Sequence, residues 1–158
     1  MVIFGESHFD ALSRNFIEQE IIKRKPAVIV HELLYDSYIK KQDIQLHLDS
    51  CSIGGVCDPL LNKDIFQLGL AVGADLIGCD LSQLEFLKIK NKPLNVQFKV
   101  RELHMLKTIK HVLKREKNIC VVVGDIHLRT FRCKALGAKS CLSNAFNDVE
   151  IIRASVVA

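Results

Sequence analysis

Val2-Ile3-Phe4-Gly5-Glu6-Ser7-His8 and Val121-Val122-Val123-Gly124-Asp125-Ile126-His127 share one pattern: an apolar run stops at a glycine, then come an acid, one spacer and a histidine. A short, unbroken apolar run reads as a buried strand. The glycine lets the chain turn sharply where the strand stops, so each acid and each histidine falls on the loop beyond. Ligands of open α/β sheets gather outside the carboxyl ends of the strands. Two such loops on neighbouring strands would bring both histidines and both carboxylates to one rim.

Outward from the first stretch, Phe9, Leu12, Phe16, Ile17 and Ile21 recur at helical spacing, with Asp10 early and Lys23, Arg24 and Lys25 late, which suits the helix dipole. The spacing predicts a helix over 9–24, stopped by Pro26, and a second strand over 27–30 ending at His31 and Glu32. A β-helix-β unit needs a crossover connection, so Glu32 is expected on the same rim as His8, with His31 on the other face of the sheet. Residues 60–72 read as a helix and 74–79 as a third strand that ends at Asp80. The longest helix is expected over 96–117, with Phe98, Met105, Leu106, Ile109, Val112 and Leu113 on its apolar face and Arg101 and His104 flanking that stripe. A fourth strand over 119–123, a short helix over 128–136 ended by Gly137, and a last strand over 149–153 follow. The turn-forming stretch 49–58 reads as a loop near the rim. Alternating strands and helices predict an α/β fold, a mostly parallel central sheet with helices on both faces, in a single domain over 1–158.

At 158 residues and 49% hydrophobic content the chain can bury a proper core. Its net charge of +4 is a mild excess. The lysines at 88, 90 and 92 and at 107, 110, 114 and 117 are not interleaved with aromatic residues, so they read as solvated faces and no nucleic-acid partner is expected. No apolar stretch approaches the ~18 residues of a membrane span. Of six cysteines, Cys79 and Cys120 fall in or beside core strands and no targeting segment precedes the first strand, so free thiols and a cytoplasmic setting are expected.

These motifs resemble the superfamily that joins the erythromycin esterases, the ChaN-like haem-binding lipoproteins and the TraB and Tiki proteins. The resemblance lies in Gly5-Glu6-Ser7-His8, in the strand that runs into Glu32, in Arg101-Glu102-Leu103-His104-Met105 on a helix, and in the closing Gly124-Asp125-Ile126-His127. It implies an α/β fold of that type, with a pocket formed by His8, Glu32, Arg101 and His127 and with Glu6 beside them. Members of the superfamily differ in activity, and ester hydrolysis, metal-dependent peptide cleavage and haem binding all occur on the shared pocket.

The residues themselves point to acid-base chemistry. Imidazole titrates near neutrality and also ligates divalent metals. A carboxylate directly after an apolar strand, such as Glu32, calls for a partner. The leading expectation is a hydrolase in which Glu32 and His8 position and deprotonate a water while His127 and Arg101 stabilise the oxyanion of an ester or peptide substrate. A variant places a divalent metal ion between His8, His127 and Glu32. The alternative is a protein that binds haem or another small ligand without catalysis. Glu6 and Asp125 equally suit capping of the helices that follow them, and Arg101 suits either an anion clamp or an ion pair. Asp80 reads first as a turn residue, and His47, Cys51 and Cys57 as loop residues rather than zinc ligands.

Overall fold

The computed structural model describes residues 1–7, 10–51, 59–132, 135–137, 139–146 and 148–154, and of residues 50, 51 and 59–63 the backbone alone. In chain order the elements are β1 (Val2–Glu6), α1 (Ala11–Arg24), β2 (Val28–His31), β3 (Tyr38–Ile39), α2 (Ile44–Cys51), α3 (Pro59–Val72), β4 (Asp75–Gly78), α4 (Gln83–Ile89), α5 (Leu94–Leu113), β5 (Ile119–Gly124), α6 (Cys141–Ala145) and β6 (Glu150–Arg153). Three-residue to four-residue 3-10 turns follow β2 (Glu32–Leu34) and β5 (Asp125–Leu128).

The three unbroken apolar runs become β1, β2 and β5, and every residue in them is buried. Such strands need cover on both faces, which is the situation of a parallel sheet. The six-stranded sheet has the order β3-β4-β2-β5-β1-β6, parallel throughout except for β3, which runs antiparallel to β4. Strand alternation divides the core in two. Val2, Phe4, Ile29, Cys120 and Val122 pack with Ile17 and Ile21 of α1, Ile44 of α2 and Ile65, Phe66 and Leu68 of α3. Ile3, Val28, Val30, Val121 and Val123 pack with Met105, Ile109 and Val112 of α5 and Leu142 of α6. The fold is therefore a mixed α/β sheet with helices on both faces.

Local signals set the ends of α1. The Asp10 carboxylate accepts the Leu12 N–H at 3.1 Å, and Lys25 closes the helix in the left-handed region (φ 46°) just ahead of Pro26. Other boundaries differ from the sequence reading. Among the described residues of 128–136 there is no α-helix: the 3-10 turn Asp125–Leu128 gives way to irregular chain. The buried Arg129 guanidinium donates to the carbonyls of Ile126 (3.1 Å) and Leu136 (3.2 Å) and so satisfies backbone of this irregular segment. Residues 49–51 end α2 rather than open a loop, because Ile44 anchors that helix in the core; residues 52–58 lie outside the described residues. Cys79, Cys120 and Cys141 carry free thiols, and burial pushes those of Cys120 and Cys141 up to about 11. No helix among the described residues is long and apolar enough to cross a membrane.

One glycine is indispensable to the rim. After the turn at Glu32–Leu34, Tyr35 takes φ 53° and ψ −147°, and its carbonyl oxygen lies 1.6 Å from where a Cβ on Gly78 would sit. Gly78 also donates its N–H to Ser37 O at 2.7 Å, so the 35–39 segment is laid directly on β4. Gly78→Ala must displace backbone rather than a flexible side chain, and we expect it to cost about 2 kcal/mol or more, read as a lowered urea midpoint at unchanged slope.

Candidate functional site

The register brings the ends of three strands together. β5 lies between β1 and β2, with Glu6 opposite Gly124 on one side and His31 opposite Val122 on the other. The chain that leaves β1, β2 and β5 therefore emerges on one edge, around a cavity of about 520 Å³. Glu6, Ser7, Glu32, Arg101, His127 and Phe98 all line it. Of the expected site residues, Glu6, Glu32, Arg101 and His127 thus surround one space; His8 lies outside the described residues, directly after the cavity-lining Ser7.

Glu32 is the hub. On the α5 side of the sheet its Oε1 accepts from Arg101 Nη2 at 2.7 Å and lies 3.3 Å from His127 Nε2, while its Oε2 accepts the Gly124 N–H. Arg101 does not wait for an anion. Its Nε donates to both Asp80 oxygens (3.0 and 3.1 Å), and its Nη2 bonds Asp80 as well as Glu32. Asp80 caps its own turn through the Leu81 N–H at 2.8 Å, so it both begins a turn and fixes the arginine. Of the two expectations for Arg101, an anion clamp or an ion pair, the structure shows ion pairs, which tie the ends of β2 and β4 together.

Glu6 lines the cavity, yet its carboxylate is engaged from the opposite face of the sheet. Arg14 of α1 donates to it at 3.3 Å, and His31 Nε2 lies 3.9 Å away. His31, on the face away from Glu32, also accepts the Leu33 N–H on Nδ1 at 3.1 Å and so caps the turn that carries Glu32. Asp125 is tied to Arg153 of β6 through two hydrogen bonds, the longer 2.6 Å. A Cβ on Gly5 would come within 2.6 Å of Asp125 Oδ1, which explains the first glycine of the repeated pattern.

The sequence reading passed over two residues that complete the site. Glu102, only 2% exposed, lies 3.4 Å from His127 Nδ1, pairs closely with Arg129 Nη1 and accepts the Cys141 N–H at 3.2 Å. Arg129 is equally buried. His127 is thus held between two carboxylates, with the Phe98 ring stacked at a tilt 5.1 Å away and Ser140 Oγ donating to its carbonyl. The available signal was a charged residue, Glu102, three positions before the core residue Met105, so that both fall on the buried face of the helix.

This setting shifts the pKa of His127. Burial by itself would lower the imidazole pKa, but the Glu102 and Glu32 carboxylates outweigh it and the pKa is raised above 6.5. Burial likewise opposes ionisation of Glu102, and His127 and Arg129 overcome it, holding its pKa below 4.5. With His127 protonated, Glu32, Asp80 and Glu102 face Arg101, Arg129 and His127, three charges against three.

The described residues do not fit a metal ion at His127 and Glu32. Both Glu32 oxygens are occupied, one of them by a guanidinium that would repel a cation, and both His127 nitrogens face carboxylates. Among the described residues no group of three or more His, Cys, Asp or Glu side chains is gathered as a metal site requires. His47 instead packs on Phe66, and His104 lies 3.9 Å from Asp36.

Fold and site together define an α/β protein with a charge-lined cavity at the carboxyl edge of a mostly parallel sheet. No protein-family model matches the chain, and no curated protein sequence matches it. A solved structure described as "Bacterial protein toxins" superposes on 96% of this chain with a TM-score of 0.53 at 13% identity. The chain spans 33% of the length of that structure, and the likeness is one of fold alone.

Titration tests the central ion cluster. The His127 pKa is raised, so its contribution to stability is fully present below about pH 6.5 and is lost as pH rises through the folded pKa. The Glu102 contribution runs the other way, present above about pH 4.5 and lost as pH falls through its lowered value. Proton NMR of the His127 ring should report a pKa above that of exposed histidines. Glu102→Gln should lower it and destabilise the fold by roughly 3 kcal/mol, because Arg129 is left buried and unpaired.

Proposed function

We propose that the protein is a hydrolase of the erythromycin-esterase, ChaN and TraB/Tiki type that activates water for cleavage of an ester or peptide bond. The observation that carries the reading is His127 set beside Glu32 on the wall of the cavity, with its pKa raised by the Glu102 and Glu32 carboxylates. In this reading His127 and Arg101 stabilise the oxyanion that forms on the carbonyl. His8 then takes the base role, supported by its position one residue beyond the cavity-lining Ser7. Glu32 orients the water and the imidazole, and Arg101 holds Glu32 in place through Asp80. No serine or cysteine nucleophile motif accompanies these residues in the sequence, which favours direct attack by water over a covalent intermediate. The same reading puts the protein in the cytoplasm, with the core thiols Cys79 and Cys120 reduced.

One observation favours a second reading, a pocket that holds haem or another small ligand without turning it over. The charged groups of the wall already satisfy one another, so the cavity is complete without a reacting substrate. Activity decides between them. His8→Ala and Glu32→Gln should each lower kcat by about 100-fold on ester or peptide substrates, with His47→Ala and His104→Ala near wild type. Wild-type activity should survive EDTA. A wild-type protein silent on every ester and peptide, yet producing a Soret shift on titration with hemin, would move the assignment to ligand binding.

A further inference from the structure

Between residues 83 and 107, a stretch the structure describes throughout, stand five lysines and only two glutamates. Glu102 is buried beside His127, and the Glu85 carboxylate accepts from Ser82 in the N-terminal cap of α4. Lys88, Lys90, Lys92, Lys99 and Lys107 are all exposed, and among the described residues none of them is held in an ion pair. The outside of α4 and of the first half of α5 is therefore cationic.

The same segment also carries apolar side chains on its outside. No residue of α4 is buried, although four of its seven are Leu84, Phe86, Leu87 and Ile89. Leu84 is 74% exposed, and Leu87, one turn further on, 47%. α5 has an inner apolar stripe through Met105, Ile109 and Val112, and a second stripe on its opposite side, formed by Val96, Val100 and Leu103 at spacings of four and three. Leu103 is 49% exposed in the middle of this 20-residue helix. Gln97 donates to the carbonyls of Lys90 (3.0 Å) and Lys92 (2.7 Å), which fixes the join between the two helices. Single exposed leucines are ordinary on a protein surface, but a run of them calls for a surface that covers it. The lysines that read as a solvated face in the sequence thus stand among exposed leucines.

Charge decides which surface fits. A second copy of the chain would set lysine against lysine. Leu84, Leu87, Val96 and Leu103 line neither the 520 Å³ cavity nor the 660 Å³ groove between β4 and α5, so they stand outside both clefts that could grip a partner's helix. A lipid layer needs no cleft. Apolar side chains enter the acyl boundary, while lysines lay their stems along it and meet anionic headgroups. We propose that α4 and the outer side of the first half of α5 form a peripheral docking surface for an anionic phospholipid membrane. The contact is interfacial, since no helix among the described residues crosses a bilayer, and it does not depend on what the cavity does.

Co-sedimentation with two kinds of vesicle tests this: pure phosphatidylcholine, and phosphatidylcholine with about 30% phosphatidylserine. The anionic vesicles should bind the chain at least about ten-fold more tightly, and less so as sodium chloride is raised. Lys88→Gln and Lys99→Gln should each weaken binding about five-fold, and Leu87→Gln and Leu103→Gln about three-fold or more, with melting temperatures near wild type because these side chains are exposed. Lys23→Gln of α1 and Leu46→Gln of α2, equally exposed but on helices of the other sheet face, should leave it within about two-fold. The chain has no tryptophan, so a single one reports its own position: emission of Leu87→Trp should shift to the blue on anionic vesicles and that of Leu46→Trp should not. Equal binding to both vesicles, binding unchanged by the substitutions in α4 and α5, or the same emission shift at both positions would overturn the proposal. So would a chain that ignores vesicles but self-associates through Leu87 and Leu103 in sedimentation, which would assign the face to a second copy. None of these measurements involves turnover, so failure of the hydrolase reading leaves them unaffected.

Discussion

His127 is 1% exposed and lies 3.3 Å from Glu32 and 3.4 Å from Glu102, each buried in turn. Charges removed from water to this degree persist only when they are paired, and one unmatched member would be more costly than the loss of any single apolar contact nearby. The arrangement therefore couples distant parts of the chain. Glu32 ends β2, Asp80 follows β4, Arg101 and Glu102 are consecutive on α5, and His127 and Arg129 follow β5. Through Ser140 and the Cys141 N–H the same cluster also sets the start of α6. A change in one of these groups is felt at the ends of several strands.

Arg101 and Glu102 illustrate how one helix serves two purposes. Neighbours on a helix point in directions about a quarter-turn apart. Arg101 reaches Asp80 and Glu32 at the cavity wall, while Glu102 turns inward beside Met105 and meets the far nitrogen of His127. The imidazole faces a carboxylate at each ring nitrogen, which sets its orientation. The opposite face repeats the theme with different residues. Glu6 is held by Arg14 there, and His31 caps the turn that presents Glu32.

Strain is concentrated where the cavity opens. Tyr35 has one of two positive φ values among the described non-glycine residues, and the other, Lys25, only closes a helix on the far side of β2. The cost at Tyr35 is sustained by backbone contacts to β4 through Gly78 and Ser37, an arrangement that would be lost if either strand shifted by one residue.

Much of this was legible in the chain itself. Three unbroken apolar runs dictate strands buried on both faces, whereas Gly5 and Gly124 do not make the expected sharp turns: both lie within their strands, and Gly5 is required by the close approach of Asp125. Helical spacing between the strands dictates a parallel sheet, so that Glu6, Glu32, Asp80 and His127 reach one edge; these are local properties of periodicity and backbone freedom. What the residues do on that edge was decided only by tertiary structure. Arg101 became an internal tie because the register sets Asp80 and Glu32 within its reach, and Glu6 turned to α1 because strand alternation sends it to the other face. Glu102 gained its role because the buried Arg129 and His127 met it from a distant part of the chain. Pairings of that kind depend on which charges end up near one another after water is excluded, and no sequence spacing encodes that distance.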